Sequence, residues 1–209
     1  MNYGIYKNAR NTAWQCLIDF KINSLPVMVS EIAQNADIRI VKNSVINILD
    51  PGRSGKTMLQ DNKFYIIYRD TEPSYRCRFT IAHELGHIFL GHLLINTPAY
   101  RTFAMRDDNE SSANVFARDL LSPACVLHEL QAVNAFDIAK LCNISLEAAS
   151  YREKRMRELE MRNAWYLHPL ERQVRNQFDD FIKTIQRNNQ LYIKIPPVTA
   201  NNGRQKKCN

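Results

Sequence analysis

The sequence predicts an α+β fold, mostly helical, with a small sheet in its first third and helices running to its C-terminal end. Apolar residues recur at helical spacing in most windows, while short β-branched and aromatic runs are confined to residues 38–68. Pro and Gly residues mark several of the junctions between these patterns.

From Asn8 to Ile22 the apolar residues Ala13, Trp14, Leu17, Ile18 and Ile22 keep helical spacing until Ser24-Leu25-Pro26, so a first helix is expected there. Ser30 precedes Glu31 to Ala36 and reads as the N-cap of a short helix. Strand-like runs follow at Ile38–Val41, Val45–Leu49 and Phe64–Tyr68. Between the last two, Asp50 to Thr57 ends in Gly-Lys-Thr. A phosphate-binding loop would need glycine where Asp50 stands and a helix directly afterwards, so a Pro-Gly turn between two strands is expected instead. A long helix is expected from Ser74 or Tyr75 to about Leu90, with Gly91 as its stop. The polar stretch Asn96–Asn109 leads to a helix over Glu110–Leu121, ended by Ser122-Pro123. Helical patterns recur at Ala124–Val133, Asp137–Cys142, Leu146–Met161 and His168–Arg187, the last with the apolar stripe Leu170, Val174, Phe178, Phe181 and Ile185. The tail after Tyr192 reads as extended and frayed.

A chain of 209 residues, 45% hydrophobic and 23% charged, can bury a core without disulfides, which excludes wholesale disorder. Its five cysteines are scattered and form no Cys-x-x-Cys pair, so neither a disulfide framework nor a cysteine zinc finger is expected; a cytoplasmic location fits. Met1 to Arg10 has no apolar stretch of the signal-peptide kind, and no window approaches the ~20 apolar residues of a membrane span, so no membrane partner is expected. The net charge of +7 is concentrated late: residues 1–150 hold 15 Lys+Arg and 15 Asp+Glu, residues 151–209 hold 13 and 6. Such a segment can meet nucleic acid or an acidic partner, but a solvated face is the reading favoured.

Chemistry concentrates in Phe79-Thr80-Ile81-Ala82-His83-Glu84-Leu85-Gly86-His87. Residues i and i+4 of a helix share a face, so His83 and His87 can hold one Zn²⁺. Glu84 is placed to take a proton from water as general base. The motif's remaining residues are small or apolar, which puts these polar groups in a core helix, where each would cost about 1–3 kcal/mol if left without a partner. Catalytic zinc takes a third protein ligand. His92 stands five residues after His87 and would lie about 140° away if the helix continued, so it is a weak ligand and is expected to support the helix end or line the cleft. Glu110 is the better third ligand, with Asn114 one turn later as a hydrogen-bonding orienter of a ligand histidine. Asp107 and Asp108, in the polar loop, compete with Glu110 but are favoured as solvated charges or helix-start acids. Manganese or another divalent metal is compatible with the same ligand types.

These motifs, with Gly91-His92 and Glu110-x-x-Ala113-Asn114-x-Phe116-Ala117-x-x-Leu120-Leu121-x-Pro123, resemble the ImmA/IrrE family of metallopeptidases over roughly residues 10–160. The resemblance implies a zincin-like metalloprotease domain, gluzincin-like in its ligand set, with zinc held by His83, His87 and Glu110 and with Glu84 as the catalytic glutamate. It also implies a protein substrate, a helix-turn-helix repressor, whose cleavage relieves repression of mobile-element, phage or stress genes. Ser122 departs from the family pattern, which has methionine there; a packing role is expected. The organisation expected is a metalloprotease domain over 1–160, containing a helix-turn-helix-like segment at 136–160, then a basic helical C-terminal extension over 161–209. Within that segment a turn is expected at Asn143 and an N-cap at Ser145.

The mechanism expected is metal-assisted peptide hydrolysis with Glu84 carrying the proton; Tyr151 and His92 are candidates to support the oxyanion. Two other readings compete with it. One is a DNA-associated regulator with a non-catalytic metal site, in which direct nucleic-acid binding is the less favoured partner reading. The other is a protein that sequesters a repressor without cutting it.

Overall fold

The computed structural model describes residues 2–93 and 103–194, the side chains of 103–107 and 189–194 excepted. Helix α1 (Tyr3–Asp19) starts earlier than its apolar spacing because a polar residue begins it: Asn2 Oδ1 accepts the N–H of Ile5 at 3.0 Å. Helix α2 (Val29–Asn35) starts one residue before the expected cap. Val29 is buried and Ser30 falls inside the first turn without a side-chain capping bond, which corrects the N-cap expectation.

The sheet is three-stranded, in the order β1-β3-β2. Strand β1 (Arg39–Lys42) runs parallel to β3 (Lys63–Tyr68), and β2 (Gly55–Gln60) runs antiparallel to it. No strand forms at Val45–Leu49. Asn43 begins a single helical turn, α3 (Asn43–Ile46), and its Oδ1 accepts the N–H groups of Ile48 and Leu49, both at 3.0 Å. Those local bonds replace a ladder. The missed strand is β2, which turns into β3 through Asp61 and Asn62, both left-handed as a tight hairpin requires. The Gly-Lys-Thr stretch is therefore strand, not loop.

Helix α4 (Ser74–Phe89) ends as expected, with Gly91 at φ +72°. Helix α5 (Phe103–Leu121) packs along α4 and α1. At Gly86 a Cβ would stand 3.2 Å from the Ala113 Cα and 3.1 Å from the Phe116 ring, so glycine allows the two helices to approach. Leu17, Ile32, Ile66, Leu85, Phe116 and Leu120 form the centre of the core between helices and sheet.

Five further helices follow among the described residues: α6 (Ala124–Glu129), α7 (Ala135–Cys142), α8 (Leu146–Met161), α9 (Pro169–Gln177) and α10 (Asp179–Lys194). Asn143 is left-handed and Ser145 Oγ accepts the Ala148 N–H at 3.1 Å, as the turn and cap signals predicted. The single helix expected over 168–187 is two, broken at buried Phe178. The break is pinned by Gln177, whose Nε2 donates to the carbonyls of Leu17, in the last turn of α1, and Ile22, just past it. Val174, Phe178 and Ile182 join the common core, and α9 lies against α1 and α6. The chain remains helical through Tyr192 to Lys194; the rest of the expected tail lies outside the described residues.

Helix α8 is tied to α5 by a buried ion pair. Arg152 donates to Asp119 Oδ1 at 2.8 Å, to the Arg118 carbonyl at 2.8 Å and to Ser122 Oγ at 3.0 Å. Ser122 thus holds a buried guanidinium through its hydroxyl, which methionine could not do. Among the described residues no helix is long and apolar enough to cross a membrane.

Candidate active site

Helix α4 presents His83, Glu84 and His87, and α5 presents Glu110 and Asn114 across from them. His83 Nε2 lies 3.0 Å from His87 Nε2 and 3.2 Å from Glu110 Oε2; His87 Nε2 is 3.6 Å from Glu110 Oε1. One ligand atom from each of these three residues falls within 4.8 Å of the others. Neither Asp108 nor any other described acid joins that group, and the Asp107 side chain lies outside the described residues.

Hydrogen bonds on the far side of each imidazole fix which nitrogen faces the group. Asn114 Oδ1 stands 2.9 Å from His83 Nδ1 and can only accept, so Nδ1 carries the hydrogen and Nε2 points inward. For His87 the sequence of bonds is longer. Ser112 spends its hydroxyl hydrogen on the Asn109 carbonyl at 3.0 Å and therefore accepts from His92 Nε2 at 3.3 Å. His92 Nδ1 is then the acceptor for His87 Nδ1–H at 3.0 Å, which leaves the lone pair of His87 Nε2 facing inward.

Two imidazole lone pairs and a carboxylate therefore converge. Such a set is repulsive unless a proton or a cation sits among them, and its donor types are those of a divalent metal site. The electrostatics agree. Burial, and His83 after it, hold the His87 imidazole down to about 4, so it is neutral near pH 7. When a proton takes the cation's place on His83 Nε2, its hydrogen bond to Glu110, with the charge of Arg53 adding to it against some burial, holds that carboxyl down to about 2.

Glu84 is almost fully buried below this group. Burial pushes its carboxyl above the usual carboxylate range, and the bond from Thr57 and the charge of His83 offset this only in part. Thr57 Oγ1 donates to Glu84 Oε2 at 2.7 Å and orients the carboxylate. Gly55 makes room for it: a Cβ there would lie 3.2 Å from Glu84 Oε1 and 2.4 Å from the Thr80 methyl. A cleft of about 590 Å³ opens over these residues, bordered by Arg53, Thr57, Arg76 and Phe79, a volume typical of a ligand site.

The five residues singled out in sequence stand together. His92 reaches His87 because Gly91 turns the chain back on itself and His92 N–H bonds the His87 carbonyl at 3.0 Å. The 140° separation applied to a continuing helix; the left-handed residue removes it. Tyr151 does not border the metal cleft; it stands in the neighbouring depression. Sequence reading missed Thr57 and Arg53, set aside with the phosphate-loop decoy, and Ser112, a small polar residue without a motif.

The chain matches the profile of peptidase family M78, described as the IrrE N-terminal-like domain, over residues 33–154. No curated protein matches it.

Proposed function

Because the chain belongs to the M78 metallopeptidase family through residues 33–154, we propose that it is a zinc-dependent endopeptidase cutting a helix-turn-helix repressor, thereby relieving repression of mobile-element, phage or stress genes. The catalytic part rests on one observation, the convergence of His83 Nε2, His87 Nε2 and a Glu110 carboxylate oxygen beside the buried Glu84. The repressor as substrate rests on the family resemblance.

His83, His87 and Glu110 would hold the zinc. Bound there, zinc supplies Lewis-acid chemistry, polarising a water and the scissile carbonyl. Glu84 takes the water proton and delivers it to the leaving amine. Its raised proton affinity suits that task, because burial makes the carboxylate a stronger base toward the water proton than an exposed glutamate. Thr57 holds one carboxylate oxygen, leaving the other to the proton. Arg53, whose positive charge acts on both Glu84 and Glu110, is the side chain of the cleft best suited to stabilise developing negative charge.

A polypeptide substrate is supported by β2. It is an edge strand among the described residues, and its first residues, Gly55 to Thr57, border the cleft, so an extended peptide can pair with it. The DNA-associated reading has less support, because Arg152, in the middle of the helix-turn-helix-like pair, is buried on Asp119 and cannot meet a phosphate.

Incubating the purified protein with zinc and a candidate repressor, then mapping fragments by mass spectrometry, tests the proposal. Glu84→Gln is expected to retain zinc and to lose cleavage by at least about 100-fold, the usual contribution of a general base. A Glu84→Gln variant that cuts at the wild-type rate would overturn the mechanism. An intact repressor bound by the wild type would favour sequestration.

A further inference from the structure

A second depression, of about 500 Å³, lies between α4, α5 and the start of α8. Phe79, Val115, Leu121, Ile144, Ala148 and Tyr151 give it a mostly apolar wall. It adjoins the metal cleft: Arg76, Phe79 and Asn114 border both. Asn114 is itself bonded to His83, so this apolar wall starts one side chain away from the candidate ligands. Two large side chains on its border stay solvent-facing, Tyr75 at 41% and Tyr151 at 67% exposure. A cation for an acidic ligand is not offered by Arg118, which is engaged by Asp119 and by the Tyr6 hydroxyl.

We propose that this depression is a specificity pocket that receives a large apolar side chain, aromatic or leucine-like, of the substrate polypeptide beside the bond that is cut. The inference rests on the peptidase reading above. An extended peptide advances about 3.3 Å per residue and sends successive side chains to opposite faces, so a chain crossing the metal cleft brings a flanking side chain to a neighbouring wall. The wall next to this cleft is apolar, and filling it removes apolar surface from water on both partners. The proposal also gives the helix-turn-helix-like pair a role: its turn and the first turns of α8, through Ile144, Ala148 and Tyr151, form one side of the pocket.

The test uses the full-length, zinc-loaded protein and acetyl-Gly-X hydroxamates with X as Phe, Leu, Gly or Asp, their affinities measured by calorimetry. The Phe and Leu compounds should bind about 10- to 100-fold more tightly than the Gly compound, as burial of one such side chain implies. Ala148→Trp, which fills the pocket, should bring the Phe-to-Gly ratio close to one, and Tyr151→Ala, on an exposed position, should lower it several-fold. A Phe-to-Gly ratio within about twofold in the wild type, or one that neither substitution changes, overturns the pocket. A metal-independent arm separates this failure from failure of the peptidase reading. In the metal-free protein, acetyl-Gly-Phe-Gly-amide should shift the NMR resonances of Ala148 and Tyr151, whereas the triglycine amide should not. Shifts confined elsewhere overturn the pocket; shifts at the pocket with no hydroxamate affinity overturn the metal reading alone.

Discussion

His92 lines the cleft but bonds to the ligand group through His87, and that indirect role makes a measurable demand. The bonds from the Asn109 carbonyl through Ser112 and His92 to His87 determine which nitrogen of His87 is free. Without them the ring can turn or place its hydrogen on Nε2. His92→Ala is therefore expected to weaken zinc binding about 10- to 100-fold, the range for partners that orient a ligand. Competition with a chromogenic chelator measures this. An unchanged zinc affinity would show that helix α4 alone holds His87. The candidate ligand pair and the glutamate beside it were legible in sequence because their spacing is a property of one helix. His92 lies outside the ligand group and lines the cleft, as expected; its contact with His87 was not legible because it depends on the left-handed Gly91 that reverses the chain.

Between elements, the site depends on the distance from α4 to α5. Glu110 and Asn114 reach the two histidines because Gly86 leaves no side chain between the helices. Gly86→Ala puts a methyl within 3.3 Å of Ala113 backbone atoms and the Phe116 ring, so the helices must part. Overpacking of this kind costs about 1–3 kcal/mol, read as a lowered urea midpoint, and zinc affinity should fall with it. Full retention of both would mean that α5 adapts without cost. Sequence patterning located α4 and the end of α5 well, since both have clear stops, but it read residues up to Asn109 as a polar connection where α5 already begins at Phe103. It missed β2 because Gly-Lys-Thr-Met-Leu-Gln has little alternation and its pairing to β3 is decided by the Asp61-Asn62 turn. It joined α9 to α10 because the apolar stripe runs through Phe178 without a change of period; only the contact of Gln177 with the end of α1 divides them.

For the molecule as a whole, the site sets a dependence on pH and metal. His87 has a folded value of about 4 against an ordinary 6.5. As pH falls through 6.5 the unfolded chain takes up a proton that the folded chain refuses until about 4, so the metal-free protein should lose stability across that window. Zinc should raise the melting temperature near neutral pH, by the equivalent of about 2.7 kcal/mol at a hundred times its Kd, and the gain should shrink in acid as protons compete for the ligands. Melting curves with zinc and with chelator across this range check it; an equal zinc gain at neutral and acid pH would show that these residues do not hold the metal. By itself the sequence determined the mainly helical class, the His83-Glu84-His87 face and the shared face of Glu110 and Asn114, because each set lies within one helix; the packing of α5 on α4 decided that the two faces meet. Tertiary structure alone decided that Thr57 and Gly55 from an edge strand shape the surroundings of Glu84, that Ser112 and His92 orient His87, and that α8 walls an apolar pocket. Those contacts join residues far apart in the chain, and only packing brings them together.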